Sequence, residues 1–128
     1  MTFERHFPAL AASLGSIREA VGAYAREAGA SASTAVQVVQ AVHEAAANAV
    51  VHGYRGGDDA QAVSVEGANG DGWLRFTIAD HGVGFRPSRT SPGYGLGLAI
   101  IAQLADEFEI RDREGGGMVV LIAFRLAG

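Results

Sequence analysis

Three polar side chains recur every four residues within the largely apolar stretch 38–54, VVQAVHEAAANAVVHGY. They are Glu44, Asn48 and His52. Residues four apart on a helix lie on one face, about 6 Å apart along the axis, so the spacing predicts a slanted polar row. The row turns by roughly 80° between Glu44 and His52, which disfavours a three-ligand metal site and favours an elongated ligand. The alternative is the solvent-exposed face of a surface helix.

Each member of the row has a chemistry that fits a phosphorylated ligand. The Asn48 amide oxygen is a hard, neutral ligand suited to Mg²⁺, which takes its other oxygens from water and substrate phosphates. Glu44 is the candidate general base for a water or a hydroxyl. His52, one turn later, is placed to contact phosphate. These roles need support from elsewhere in the chain.

Two glycine-containing segments offer that support. In DHGVGF, Asp80 is predicted at the end of a strand, and Gly82 and Gly84 allow close backbone approach to a ligand. Asp80 can accept a hydrogen bond from an exocyclic amine. An ordinary turn is the alternative for this segment, because Asp and Gly are common turn residues.

The second segment, GYGLGL at 93–98, opens a predicted helix, where free backbone N–H groups and the helix dipole favour phosphate. It is neither a Walker A sequence, since no Gly-Lys-Ser/Thr follows, nor a Rossmann fingerprint, since no parallel βαβ unit precedes it. Its members are Gly93, Tyr94, Gly95, Leu96, Gly97 and Leu98.

Hydrophobic periodicity predicts the elements that must position these residues. A first edge strand covers Thr2 to Phe7, a helix with Ser13 as N-cap runs to Gly29, and Ser31 or Ser33 caps a second helix ending near Gly53. Strands follow around Val63 and Val65 and at Trp73 to Ala79, joined by the hairpin NGDG at 69–72. A third helix (LGLAIIAQLAD) and strands at Glu107 to Arg113 and Met118 to Leu126 complete the order.

Several apolar positions are expected in the core. In the first helix they are Leu14, Ile17, Val21, Tyr24 and Ala28; in the second, Val36, Val39, Ala46 and Val50; in the last strands, Phe108, Ile110, Val120, Ile122 and Phe124.

Composition restricts the class of protein. A chain of 128 residues with 48% hydrophobic and 19% charged residues predicts one globular domain, 1–128. The net charge of −4 offers no basic surface for nucleic acid, so no direct nucleic-acid partner is expected. No membrane segment or secretory signal is predicted, and the absence of cysteine suits a reducing compartment, so a cytoplasmic location is the default expectation.

The three motifs together resemble the GHKL superfamily of ATPases and kinases, and within it the bacterial anti-sigma factor serine/threonine kinases, over nearly the full chain. Glu44, Asn48 and His52 match E-x-x-x-N-x-x-x-[HK], Asp80, Gly82 and Gly84 match D-x-G-x-G, and 93–98 matches G-x-G-L-G-L. The resemblance implies a Bergerat-type α+β two-layer sandwich: a mixed, mostly antiparallel sheet covered on one face by three helices, with ATP between the layers.

The same resemblance implies roles for individual residues. Asp80 would bind the adenine amino group, Gly84 would line the adenine pocket, and Asn48 would hold Mg²⁺. His52 and the backbone from Gly95 to Gly97 would contact phosphate, and Tyr94 lies where it could touch the nucleotide. The segment 86–92 would be a short ATP lid, whose Arg86 and Arg89 either meet phosphate or are surface charges.

One departure concerns EGGGMVV, where relatives usually carry Gly-Thr and the threonine supports the aspartate. Gly117 and Met118 stand there instead, which puts nucleotide affinity in doubt. A second interpretation therefore stays open, in which the chain is a non-catalytic binding module and the nucleotide only stabilises its structure. A detached histidine kinase catalytic domain is a further alternative, although such domains normally follow a dimerisation helix pair and only about thirty residues precede the second helix.

The implied function is partner switching. Such kinases sequester a sigma factor or phosphorylate a serine or threonine of an anti-anti-sigma (STAS-domain) protein, with Glu44 as the catalytic base here. A partner other than a sigma factor remains open, because fold does not determine what the outer surface binds. A homodimer through the sheet side, involving the strand FERHF, is one hypothesis; simple core burial of Phe3 and Phe7 is the other.

Overall fold

Five strands form one sheet in the computed structural model, which describes residues 2–52, 62–80, 94–112 and 117–126. They are β1 (Thr2–Pro8), β2 (Ala62–Gly70), β3 (Trp73–Asp80), β4 (Glu107–Asp112) and β5 (Met118–Arg125). Their order across the sheet is β1-β2-β3-β5-β4, and every pairing among them is antiparallel. The predicted edge position of the first strand is confirmed.

Three helices cover one face of this sheet: α1 (Ser13–Glu27), α2 (Ala32–His52) and α3 (Tyr94–Leu104). The central helix, α2, packs on α1, on α3 and on the strands β2, β3 and β5. The arrangement is the predicted α+β two-layer sandwich. None of the described helices combines the length and the apolar character needed to cross a membrane.

The ends of the helices follow local hydrogen bonding. Ser31 caps α2, because its Oγ accepts the Thr34 N–H at 3.1 Å, which decides between the two predicted caps. The prediction of Ser13 as the cap of α1 is wrong: Ser13 is already helical, and the capping residue is Ala12, with no side-chain bond. Gly29, at φ 101°, provides the predicted stop after α1.

The β2–β3 hairpin confirms the prediction from NGDG. Asp71 and Gly72, the two residues between the strands, have φ of 56° and 81°. Positive φ at both central residues is the type I′ geometry, whose twist matches that of the flanking strands. The turn therefore fixes the β2–β3 register, in which Val63 lies opposite Asp80.

The core face of α2 differs in part from the prediction. Val36 is 67% exposed and Val39 is half-buried, whereas the helix turns its smaller residues and two other valines inward. The first half of α2 is apolar on several sides, so periodicity did not select one face. The buried positions of α2 are Ala35, Val38, Ala41, Val42, Ala45, Ala46 and Ala49.

The remaining core predictions hold with one exception, although Leu14, Ala28, Val50 and Ile110 are only half-buried where they pack against the core. Ile17, Val21 and Tyr24 of α1 are buried, as are Val120, Ile122 and Phe124 of β5. The prediction that Phe108 lies in the core is wrong, since this residue is 39% exposed. It lies on β4, the edge strand beyond β5, where the helical layer gives less cover.

The opposite face of the sheet has no helix among the described elements. On it the guanidinium groups of Arg75 and Arg125 both lie 4.9 Å from the centre of the Trp73 ring. At the β1–β2 edge, Glu4 lies directly opposite Glu66. A side-chain hydrogen bond with Glu4, then partial burial and the Glu4 charge, raise the pKa of Glu66, while His6 opposes the rise.

Gly67 allows the close packing of two aromatic rings, and its replacement tests that packing. A Cβ there would lie 2.8 Å from Tyr24 Cε2 and 3.0 Å from Phe76 Cε1, both on buried rings. We expect Gly67→Ala to lower the free energy of unfolding by about 1–3 kcal/mol, because overpacking forces these rings to move. Urea denaturation measures this. Gly70→Ala, whose Cβ meets nothing within 4 Å, is the control; an equal loss in both variants would contradict the explanation.

The carboxyl pair makes stability depend on pH. A raised pKa of Glu66 in the folded state means that its contribution is present at low pH and is lost as the pH rises through that pKa. We expect Glu66→Gln to flatten the fall in unfolding free energy between mildly acidic and neutral pH. Denaturation at a series of pH values tests this, with the exposed Glu19→Gln on α1 as control. Parallel curves for wild type and Glu66→Gln would refute it.

Candidate functional site

The second half of α2 meets the start of α3 at a glycine. A Cβ on Gly97 would lie 3.3 Å from Asn48 Nδ2 and 3.4 Å from Glu44 Oε2. Gly97 is buried, and the two polar side chains are half-buried. Three predicted site residues, Glu44, Asn48 and Gly97, are therefore neighbours, and we call them the α2–α3 cluster.

The absence of a side chain at Gly97 is what makes this cluster compact. Contacts at 3.3–3.4 Å are tighter than ordinary van der Waals distances, so a methyl group would displace the Asn48 amide or the Glu44 carboxylate. Both groups thus lie beside the N-terminal turn of α3, where N–H groups without helical partners carry partial positive charge. An oxygen ligand and a carboxylate base are available within one helical turn of each other.

A second group of residues forms where β3 ends and β5 begins. Asp80 is 6% exposed, and its Oδ1 accepts the main-chain N–H of Met118 at 3.3 Å. Gly117, at φ 91°, precedes that N–H and is buried against the main chain of Asp80. We call Asp80, Gly117 and Met118 the Asp80 cluster.

Burial and hydrogen bonding make Asp80 chemically distinctive. A buried carboxylate is costly unless donors satisfy it, and it can accept about four hydrogen bonds. Asp80 takes one of them from the protein backbone at Met118. A group that donates hydrogen bonds, such as an aromatic amine, is the complementary ligand for an acceptor held in this way.

Chain connectivity relates the two clusters. Residues 81–93 join the end of β3 to the start of α3, and the C-terminal end of α3 leads to Asp106, whose N–H donates to the Ala123 carbonyl at 3.0 Å. Ala123 lies five residues along β5 from Met118, which is at the Asp80 end of the strand. The C-terminal end of α3 therefore lies toward the opposite end of the sheet from Asp80. Thirteen residues of the chain, 81–93, thus separate Asp80 from the glycine-rich start of α3.

Several predicted site residues cannot be placed. Gly82, Gly84 and Gly93, and the proposed lid with Arg86 and Arg89, lie outside the described residues. His52 is the last residue of α2, and Tyr94, Gly95 and Leu96 begin α3, but their side chains are outside the described part. Leu98, one residue after Gly97, is half-buried and packs against the core. These assignments stay predictions.

Sequence reasoning noted position 118 but missed what the backbone does there. It compared Met118 with a threonine side chain and inferred a loss. The structure instead supplies the Asp80 contact from the Met118 main chain. A run of three glycines, 115–117, immediately before a strand was the available signal, since glycine allows close backbone approach and positive φ.

The structure can be compared with a family model and with a curated relative. Residues 7–124 match the model of the histidine kinase-like ATPase domain. Anti-sigma F factor of Heyndrickxia coagulans is 28% identical over an alignment of 97 residues, and the alignment covers 67% of this chain and 66% of that protein. The chain thus spans slightly less than two thirds of the relative's length.

Solved structures give similar matches. The structure of the RsbU and RsbW domains of Rv1364c from Mycobacterium tuberculosis matches 98% of this chain and 32% of its own, with a TM-score of 0.78 and 26% identity. The histidine kinase domain of the Erythrobacter litoralis EL346 blue-light activated histidine kinase matches 93% of this chain and 61% of its own, with a TM-score of 0.62 and 27% identity.

The three motifs, the sandwich that carries them and these matches agree with one another. The chain belongs to the family of histidine kinase-like ATPase domains, of GHKL type, and its resemblance to the anti-sigma factor kinases holds.

Proposed function

We propose that residues 1–128 form one ATP-binding domain that acts as an anti-sigma factor and serine/threonine protein kinase, phosphorylating an anti-anti-sigma protein of the STAS type. The observation that carries the proposal is the Asp80 cluster, a buried carboxylate with a backbone donor at the end of β3. The family supports ATP binding, and the anti-sigma F factor relative supports the partner class.

The chain's own residues fit a Mg·ATP ligand. Asp80 accepts from the 6-amino group of adenine. Asn48, in the α2–α3 cluster, would offer its amide oxygen to Mg²⁺, and the backbone from Gly95 to Gly97 together with His52 would contact the phosphates. The metal, when bound, neutralises negative charge on the phosphates. Gly82, Gly84, Gly93, Tyr94, Gly95, Leu96 and Leu98 complete the proposed nucleotide site.

Glu44 is the proposed catalytic base. Phosphoryl transfer asks mainly for positioning and charge stabilisation, so one base next to the metal ligand is sufficient protein chemistry. Glu44 lies one turn before Asn48 and beside Gly97, and this position supports a role at the proposed phosphate site. It would accept the proton of the incoming serine hydroxyl as the hydroxyl oxygen bonds to the γ-phosphorus and the bond from that phosphorus to the oxygen of the leaving ADP breaks.

The proposed partners of this chain are inferred from its similarity to the same relatives. We propose that the phosphorylation state of the STAS-domain protein decides whether this chain holds that protein or a sigma factor. A homodimer through the sheet side, to which the strand FERHF (residues 3–7) would contribute, is also proposed. Phe3 and Phe7 of that strand are half-buried and pack against the core, as the alternative of simple core burial requires.

Nucleotide binding is tested first by calorimetry with Mg·ATP. Wild type is expected to bind, and Asp80→Asn to weaken binding roughly ten- to a hundredfold. With its oxygen directed to the Met118 N–H, the carboxamide introduced by this substitution would point its NH₂ donor toward the adenine amine. Asn48→Ala is expected to remove the dependence of affinity on Mg²⁺. Gln37→Ala, exposed on the same helix, is the control; absence of binding by folded wild type would overturn the nucleotide site.

Phosphoryl transfer is tested separately, with γ-labelled ATP and a purified STAS-domain protein. We expect label on a serine or threonine of that protein, and we expect Glu44→Gln to lower the rate about 10²–10⁴-fold while ATP binding is kept. ATP-dependent complex formation without any label would instead favour the non-catalytic binding module. Label on a histidine would favour the histidine kinase alternative.

A further inference from the structure

The Asp80 carboxylate is held by the protein main chain on the side of β5. Its Oδ1 accepts the Met118 N–H at 3.3 Å. The residue before that N–H, Gly117, lies so close that a Cβ built on it would overlap the Asp80 carbonyl oxygen and lie 2.8 Å from Oδ1 and 3.1 Å from the carbonyl carbon. Real Cβ atoms essentially never approach main-chain or carboxylate atoms below 3.0 Å.

Two independent features of Gly117 therefore exclude a side chain. One is steric, as described. The other is conformational, because its φ of 91° lies in the region that residues with a Cβ rarely adopt. Two other glycines, Gly29 and Gly72, have comparable φ, but a Cβ on either would meet nothing within 4 Å. Only Gly117, among these three, combines positive φ with a contact to a proposed ligand-binding side chain.

We propose that Gly117 is a positioning residue for adenine recognition. Its missing Cβ brings the Met118 N–H onto Asp80 Oδ1, which fixes the orientation of the carboxylate, and the preference of the chain for a 6-aminopurine depends on that orientation. The inference rests on the proposed nucleotide site and adds the group that sets its selectivity. The side chain at position 118 has no part in it.

The physical reason is that a carboxylate selects a donor only when its direction is fixed. A terminal carboxyl group rotates broadly about its bond to Cβ, so an unsupported oxygen offers its lone pairs in many directions. A backbone N–H that is itself held in a β-strand is a rigid donor. It needs no rotamer of its own, unlike a hydroxyl group, and it is present whatever residue other than proline occupies position 118.

The test measures the selectivity between two nucleotides in the full chain. The probes are ATP and purine riboside triphosphate, which lacks only the 6-amino group. Wild type is expected to bind ATP at least about tenfold more tightly than purine riboside triphosphate, because ATP makes one additional hydrogen bond to a charged group. Gly117→Ala is expected to reduce this ratio toward one, mainly by weakening ATP binding.

Gly72→Ala is the matched control for backbone strain. Gly72 has a φ of 81°, lies in the β2–β3 turn at the end of the sheet away from Asp80, and has open space around its Cα. We expect it to lose thermal stability and to keep the nucleotide selectivity. A purely structural role of Gly117 would weaken both nucleotides equally and leave the ratio unchanged, which would overturn the proposal.

Changes at position 118 provide a second test should Gly117→Ala not fold. Met118→Pro removes the N–H, and proline is tolerated at the first residue of a strand. It is expected to lose the selectivity, whereas Met118→Leu, which keeps the N–H, is expected to retain it. Retention of the wild-type ratio in Met118→Pro would refute the inference alone; failure of wild type to bind ATP would refute the nucleotide site together with it.

Discussion

The packing of α2 is the constraint on which the rest of the structure depends. This helix touches α1, α3 and three strands, and its contact face consists mainly of alanines, with Val38 and Val42 fully buried. Burying each valine contributes about 1.5–3 kcal/mol relative to exposure. A rotation of the helix by one residue, about 100°, would expose both valines and carry Asn48 toward the core. The apolar face therefore fixes the direction in which Glu44 and Asn48 point.

The same packing explains which parts of the fold the sequence could predict. α1 has one apolar face, so its core residues Ile17, Val21 and Tyr24 followed from periodicity. The first half of α2 has valines on two faces, and only contact with the sheet decides that Val38 is buried while Val36 is exposed. Phe108 lies in register with Ile122 but on an edge strand, and exposure at an edge is a tertiary property that a strand pattern does not contain.

In the candidate site, the spacing of side chains in the sequence predicted which residues are neighbours, whereas the contacts made by the backbone could not be predicted from that spacing. A four-residue interval brought Glu44 and Asn48 to one face, and the glycine pattern of α3 located their neighbour Gly97. The contact of Met118 N–H with Asp80 joins residues 38 positions apart, and it arises from β3–β5 pairing. Every residue except proline has an N–H, so the residue type at position 118 does not mark this donor, and the preceding glycines, 115–117, were the only signal of it that the sequence offered.

This difference changes what the missing threonine means. A hydroxyl that supports an aspartate is lost when threonine becomes methionine, so a comparison of side chains alone suggests a weakened site. A main-chain donor survives that change, and the requirement moves to the preceding residue, where positive φ and the Asp80 main chain leave no room for a Cβ. In a chain built this way, position 118 can vary in residue type while position 117 must remain glycine for the Asp80 contact to persist. The methionine is therefore weak support for a non-catalytic domain, because the orientation of the buried carboxylate depends on a group that the substitution leaves in place.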